Sequence, residues 1–138
     1  FTHPRFLPPA KINDAVIRHS IVAEGSIVDQ ARIERAIIGL RGVVRKGVEI
    51  RNSIFLGADY YDNSPRHSRD LPAGAPPLGI GEGTRIENAI VDKNARIGAR
   101  CVITNAAKAR EADGPNYCIR DGIIVIPRKA IVPAGTVI

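Results

Sequence analysis

His3, His19 and His67 are the only imidazoles in this chain, and Cys101 and Cys118 its only thiols. Imidazoles and thiols are the commonest zinc ligands, and they also serve as a general base or as a nucleophile. Their spacing matches no zinc signature and no disulfide framework. Cys101 falls on the aliphatic pattern described below, which predicts a small buried thiol in a reducing compartment. Carboxylates are plentiful, but none sits in a recognisable catalytic context. There is no glycine-rich phosphate loop after a strand and no Gly-x-Ser-x-Gly. The net charge is +6. Lys and Arg are scattered and not interleaved with aromatic residues, which argues against a nucleic-acid surface. Small anions or an acidic partner surface fit this charge, as does an ordinary solvated exterior.

The elements that must position such residues repeat. In the stretch from Ile86 to Ile103 the aliphatics return every five or six residues with turn-forming residues between them, which is neither helical nor plain strand spacing. Arg32-Ile33-Glu34-Arg35-Ala36-Ile37 recurs as Arg85-Ile86-Glu87-Asn88-Ala89-Ile90, an offset of 53 residues (86 − 33). A fixed repeat of this kind predicts a hexapeptide β-solenoid, with three short strands per turn of roughly 18 residues and an aliphatic at each inward position. The offset then corresponds to about three turns. Inward positions are assigned to Ile12, Ile17, Ile21, Ile27, Ile33, Ile38, Val44 and Ile50, and Gly25, Gly39, Gly42 and Gly47 supply corners. A second block runs from Leu78 to Ile103, and Ile119, Ile126, Val132 and Ile138 close the set. Pro127 and Pro133 fall at corners, where their missing donors are not needed.

Two stretches leave the pattern. Residues 57–77 form a long polar excursion beginning Gly57-Ala58-Asp59-Tyr60-Tyr61, a length that is usually functional or mobile. Residues 105–117 form the second, in which Ala106 to Ala112 reads as a helical turn stopped by Gly114-Pro115. The proline-rich residues 1–11 read as an extended linker entering a β-helix domain over 12–138.

The composition agrees with strands. Three Phe, three Tyr, no Trp and no Met leave Ile and Val to fill the core, and β-branched side chains pack well on a pleated surface. No apolar run approaches the roughly 18 residues that cross a bilayer, so a soluble protein is expected. The missing Met at position 1 suggests a piece of a longer chain. Hexapeptide solenoids host two histidine chemistries, acyl transfer with a His base and zinc binding through three His. The scattered His3, His19 and His67 are not expected to share a metal, which leaves His19 or His67 as an acyl-transfer base and surface positions as the plainer reading.

An ordered set of pieces adds a resemblance. Phe6-Leu7-Pro8-Pro9, Gly57-Ala58-Asp59-Tyr60-Tyr61, Gly79-Ile80-Gly81, Ile90 to Gly98, Glu111-Ala112-Asp113 and Gly135-Thr136-Val137-Ile138 together resemble the C-terminal domain of ADP-glucose pyrophosphorylase (glucose-1-phosphate adenylyltransferase) of the plant and cyanobacterial type. The resemblance spans essentially the whole chain. It implies an all-β, left-handed parallel β-helix, although the general preference for right-handed crossovers would suggest the opposite hand. It also implies a missing N-terminal domain that makes ADP-glucose and pyrophosphate from ATP and glucose 1-phosphate with magnesium, so that no catalytic residue, metal site or cofactor belongs to this fragment.

What remains for this chain by resemblance is regulation and assembly. The implied partners are its own catalytic domain, the subunits of a homo- or hetero-tetramer, and the anionic effectors 3-phosphoglycerate and phosphate, with no nucleic acid and no membrane. Lys93, in Asp92-Lys93-Asn94-Ala95-Arg96, matches one effector-binding lysine of the family. Arg128 stands where the family has a second, with Lys129 beside it, and arginine keeps the charge while gripping phosphate differently. The implied location is the plastid stroma, or the cytoplasm for a cyanobacterial protein. The chain departs from the family at Asp113-Gly114-Pro115-Asn116-Tyr117-Cys118, which is shorter than usual. Two other readings of the solenoid stay open, a hexapeptide acyltransferase and a non-catalytic assembly scaffold.

Overall fold

A computed structural model describes residues 7–63, 65–67 and 69–138. His3 and Phe6 lie outside the described residues. Strands of two to four residues wind into stacked three-sided coils. The first coil is β1 (Lys11–Asn13), β2 (Val16–Arg18) and β3 (Ile21–Val22). The second is β4 (Ile27–Asp29), β5 (Arg32–Glu34) and β6 (Ile37–Ile38), and the third β7 (Val43–Val44), β8 (Glu49–Arg51) and β9 (Ile54–Phe55). After the long excursion the fourth is β10 (Gly79–Ile80), β11 (Arg85–Glu87) and β12 (Ala89–Val91). The fifth has β13 (Arg96–Ile97) and β14 (Val102–Ile103), then a meander of β15 (Glu111–Asp113), β16 (Cys118–Arg120) and β17 (Ile123–Ile126). The last coil holds β18 (Ile131–Val132) and a parallel bridge from Val137 to Val102.

Each side of the prism is a parallel sheet built from one strand per coil. The orders are β1-β4-β7-β10-β13-β18, β2-β5-β8-β11-β14 and β3-β6-β9-β12-β17, the last extended by the antiparallel β16 and β15. The register stacks like on like. Ile12, Val28, Val44, Ile80, Ile97 and Val132 form one inward column. Ile17, Ile33, Ile50, Ile86 and Ile103 form the second, and Val22, Ile38, Phe55, Val91 and Ile126 the third. Most of these side chains are fully buried, each contributing about 1.5–3 kcal/mol of transfer free energy. Ile12 points inward yet is 48% exposed, because among the described residues no coil lies beneath the first.

Three expectations change. First, Ile21 and Ile27 face outward and Val22 and Val28 take the inward places; Ile21 is 63% exposed whereas Val28 is fully buried. Corners absorb a variable number of residues, and one residue of slip in a strand turns every side chain to the other face. Second, Ile33 stacks on Ile50 and Ile50 on Ile86, so the offset of 53 residues spans two coils rather than three. One is a plain coil, the other is swollen by the excursion. Third, Ala106 to Ala112 forms no helical turn. Asn105 closes a tight loop instead, its Oδ1 accepting from the Ala109 N–H at 3.0 Å and its Nδ2 donating to the Ala109 carbonyl at 2.9 Å. That delivers Glu111–Asp113 to the sheet as β15, where Ala112 opposes Ile119 and Ile119 opposes the buried Ile124. Backbone pairing along a ready sheet edge outweighs the modest helix propensity of an alanine-rich run.

Other features fall where the sequence placed them. Pro127 and Pro133 precede corners, and Cys101 is fully buried, with its thiol 3.2 Å from the Pro133 carbonyl oxygen. Lys11, grouped with the linker on sequence, is the first residue of β1 and pairs with Ile27. No described helix is long and apolar enough to cross a membrane.

Candidate anion site on a solenoid corner

One corner of the prism carries the residues of interest. Successive coils are tied there by backbone hydrogen bonds from Arg41 to Glu24, Ala58 to Leu40, Asn94 to Gly57 and Lys129 to Lys93, at 2.8 to 3.2 Å. Coils stack about 4.8 Å apart, so Lys93 and Arg128, separated in sequence by the second excursion, arrive on adjacent steps. The corner needs a left-handed backbone, which Arg41, Asn94 and Lys129 adopt with φ of 54°, 63° and 62°. Asparagine tolerates that conformation better than most residues.

The long excursion leaves the solenoid at this same corner. Gly57 has φ of +84°, and a Cβ there would collide with the Leu40 carbonyl oxygen and with Gly39. The segment that follows lies along the corner column instead of projecting from it. Tyr61 reaches down to the second coil's entry, its hydroxyl donating to the Gly25 carbonyl at 2.8 Å. Asp59 reaches the other way.

The Asp59 carboxylate is gripped from several directions. Lys93 Nζ is 3.2 Å from Oδ1, and Arg128 Nη2 is 2.8 Å from Oδ2. Asn94, itself buried, donates from Nδ2 to Oδ2 at 3.1 Å and accepts the Asp59 backbone N–H on Oδ1 at 2.9 Å. The Asn94 hydrogen bond is the main reason that the Asp59 carboxyl is held below the usual value of 3.8, followed by the hydrogen bond from Lys93. Solvent still reaches the cluster, with side-chain exposures of 39% for Asp59, 44% for Lys93 and 56% for Arg128. Chemically this is a two-cation cradle with an amide wall, already filled by a carboxylate.

A second carboxylate anchors the excursion more deeply. Asp62 receives both terminal nitrogens of Arg96, at 2.8 and 3.0 Å, and the Leu78 N–H at 3.0 Å. The Arg96 side chain is only 5% exposed, and it also donates to the Pro76 carbonyl at 3.3 Å. The hydrogen bond from Arg96 holds the Asp62 carboxyl below its ordinary range, against the opposing effect of burial. Arg45 donates to the Leu78 carbonyl at 2.9 Å, and burial lowers its pKa. Both ends of the excursion are thereby fastened to β13 and to Arg45, which directly follows β7.

Of the residues selected from sequence, Lys93 and Arg128 therefore meet on one carboxylate. Lys129 contributes its backbone N–H to the corner ladder, but its exposed side chain makes no ion pair among the described residues. His19 is an exposed corner residue of the first coil. His67 lies in a single 3-10 turn, Pro65–His67, with its ring stacked on Tyr60 at 3.8 Å between centroids. His19 sits on the first coil and His67 in the long excursion, and among the described residues no group of three His, Cys, Asp or Glu is placed to hold a metal. Asp59, Asn94, Asp62 and Arg96 were not singled out from sequence. A signal existed for three of them, since Asp59, Asn94 and Arg96 lie within the two most specific pieces, Gly57 to Tyr61 and Asp92 to Gly98.

Comparison with known proteins agrees with this architecture. Residues 5–137 match the GLGC left-handed parallel beta-helix domain. The chain is 41% identical over 140 residues to the glucose-1-phosphate adenylyltransferase large subunit 1, chloroplastic/amyloplastic, of Zea mays. It is 39% identical over 142 residues to the small subunit, chloroplastic/amyloplastic, of Triticum aestivum. In both cases all of this chain is covered, but only 27% and 30% of the relative. A three-sided parallel solenoid matched along nearly its whole length leaves one assignment: this chain belongs to the family of the GLGC left-handed parallel beta-helix domain.

Proposed function

We propose that this chain is the regulatory and assembly domain of a glucose-1-phosphate adenylyltransferase, the enzyme that joins ATP and glucose 1-phosphate into ADP-glucose with release of pyrophosphate. In this reading catalysis, with its magnesium and ATP, belongs to an N-terminal domain, and the β-helix binds anionic effectors such as 3-phosphoglycerate and phosphate. A plastid location follows from the names of the two plant relatives.

The observation that carries the reading is the convergence of Lys93 and Arg128 on one carboxylate, at 3.2 and 2.8 Å. Two cations spaced to grip one oxyanion, open to solvent on a solenoid corner, suit a phosphate group shared with a neighbouring domain. Hydrogen bonds to charged groups are each worth about 1.5–3 kcal/mol when sheltered; at this exposure the lower end or less applies. Even about 1.4 kcal/mol of differential binding shifts a domain equilibrium tenfold. The test is ADP-glucose synthesis by the full-length protein, alone and with a partner subunit, with and without 3-phosphoglycerate and phosphate. Lys93→Ala and Arg128→Ala are expected to blunt both responses. Unchanged activation and inhibition in both variants would sink the effector role.

The assembly half of the reading is favoured by a separate observation. On the side built from β3, β6, β9, β12 and β17 the outward positions stack as Ile21, Ile37, Ile54, Ile90 and Val125. Ile21 is 63% and Ile37 41% exposed. Ile54, Ile90 and Val125 are half-buried, and a continuous, partly exposed aliphatic ladder marks an interaction surface more often than a solvated face. Ile37→Glu is expected to lower the oligomeric state in sedimentation velocity, and an unchanged distribution would remove this face from the assembly.

A further inference from the structure

The anion cradle is not empty in its own protein. Lys93, Arg128 and Asn94 all bond the Asp59 carboxylate, and Asp59 belongs to the segment where the long excursion leaves the solenoid. We propose that Asp59 is a resident counter-ion of this site, and that a phosphate-bearing effector binds by displacing its carboxylate from Lys93 and Arg128. The proposal rests on the effector reading above and adds a competitor to it.

The geometry makes exchange feasible. Asp59 occupies the cradle with one carboxylate carrying a single charge, whereas a phosphate brings up to two charges and three acceptor oxygens to the same donors. All three charged side chains are between 39% and 56% exposed, so an incoming anion reaches them without opening the core, and exposed ion pairs are weak enough to be replaced. Asp59 is not simply a structural staple. The nearby Asp62 performs that task with the nearly buried Arg96, while Asp59 is held by cations that water already touches. Displacement also has somewhere to be felt. The Asp59 backbone N–H is bonded to Asn94, its neighbour Ala58 hydrogen-bonds Leu40, and Tyr61 bonds Gly25, so the strap along the corner column is anchored on several coils.

The experiment titrates inorganic phosphate into the full-length protein by calorimetry, comparing wild type with Asp59→Asn, Asp59→Glu, Asp121→Asn and the double variant Lys93→Ala/Arg128→Ala. Asp121 pairs with Arg110, and both are highly exposed; its variant makes the same change in net charge without touching the cradle. Removing the competitor is expected to tighten phosphate binding by about three- to tenfold in Asp59→Asn. Asp59→Glu restores affinity toward wild type, and Asp121→Asn changes it less than twofold. Circular dichroism melts confirm that each variant is folded, and Asp59→Glu supplies the comparison if Asp59→Asn is not. Weaker or unchanged binding in Asp59→Asn, with loss of binding in the double variant, would overturn the resident counter-ion and leave the effector site standing. Unchanged binding in the double variant would overturn both.

Discussion

Replacing Asp62 with alanine tests how the excursion is fixed, and its cost can be worked from the site. The substitution removes two charge-assisted hydrogen bonds from Arg96, at 2.8 and 3.0 Å, and one from the Leu78 N–H at 3.0 Å. It also strands a guanidinium that is 5% exposed. Breaking a buried ion pair from one side typically costs about 3–5 kcal/mol, because the remaining charge is desolvated and unpaired. Two features bring the expectation to the low end: Asp62 is itself 28% exposed, and Arg96 keeps its bond to the Pro76 carbonyl. A loss of about 3 kcal/mol is expected, which for a domain of this size lowers the melting temperature by roughly 10 °C. Urea denaturation followed by circular dichroism reads the free energy directly. The sign of the pH dependence follows from the lowered pKa of Asp62. A depressed carboxylate contributes stability above its unfolded pKa, and that contribution is lost as pH falls through the folded value. The gap between wild type and Asp62→Ala is therefore constant near neutrality and closes in strong acid. Arg110→Ala, which breaks a pair that is 84% and 79% exposed, serves as the surface reference and is expected to cost nothing measurable. If Asp62→Ala cost no more than Arg110→Ala, the argument from burial would be wrong.

Other outcomes follow from the same physics. Ile97→Ala, at a fully buried position of the first inward column, is expected to cost about 2–5 kcal/mol, whereas Ile21→Ala, 63% exposed, stays within about 0.5 kcal/mol; equal losses in urea melts would refute the register. Gly57→Ala forces a Cβ against the Leu40 carbonyl oxygen at φ of +84°, so it is expected to destabilise by more than the ~1 kcal/mol of a strained backbone alone, and faster proteolysis within residues 58–77 would report the loosened strap. Cys101, fully buried, is expected to resist a thiol reagent in the folded protein while the partly exposed Cys118 reacts; two equally fast thiols would contradict the burial of Cys101.

Much was legible in the chain itself. Recurring aliphatics at five and six residues announce a solenoid, because a strand this short turns one main aliphatic inward and each coil must be finished by the next. The two excursions announce themselves by losing that pattern, and the two prolines mark corners where no donor is required. Lys93 and Arg128 could be selected by resemblance, but nothing in their sequence separation says that they touch. That contact depends on the coils stacking corner on corner after the intervening excursion has been looped out.

The facing of Ile21 and Ile27 shows the limit most clearly. Both are as apolar as Val22 and Val28, and the choice between adjacent aliphatics is made by how many residues a corner consumes. The helical turn expected over Ala106 to Ala112 does not form for a related reason, since a neighbouring strand edge, invisible in the local sequence, draws Glu111–Asp113 into the sheet. Asp59 is the most consequential case. In sequence it is one acid in a polar loop, and its role as the anion between Lys93 and Arg128 exists only because the loop folds back along the corner it departs from. Composition and period are local properties and fix the kind of fold; which charges share a site is a property of the stacking, and only the tertiary structure decides it.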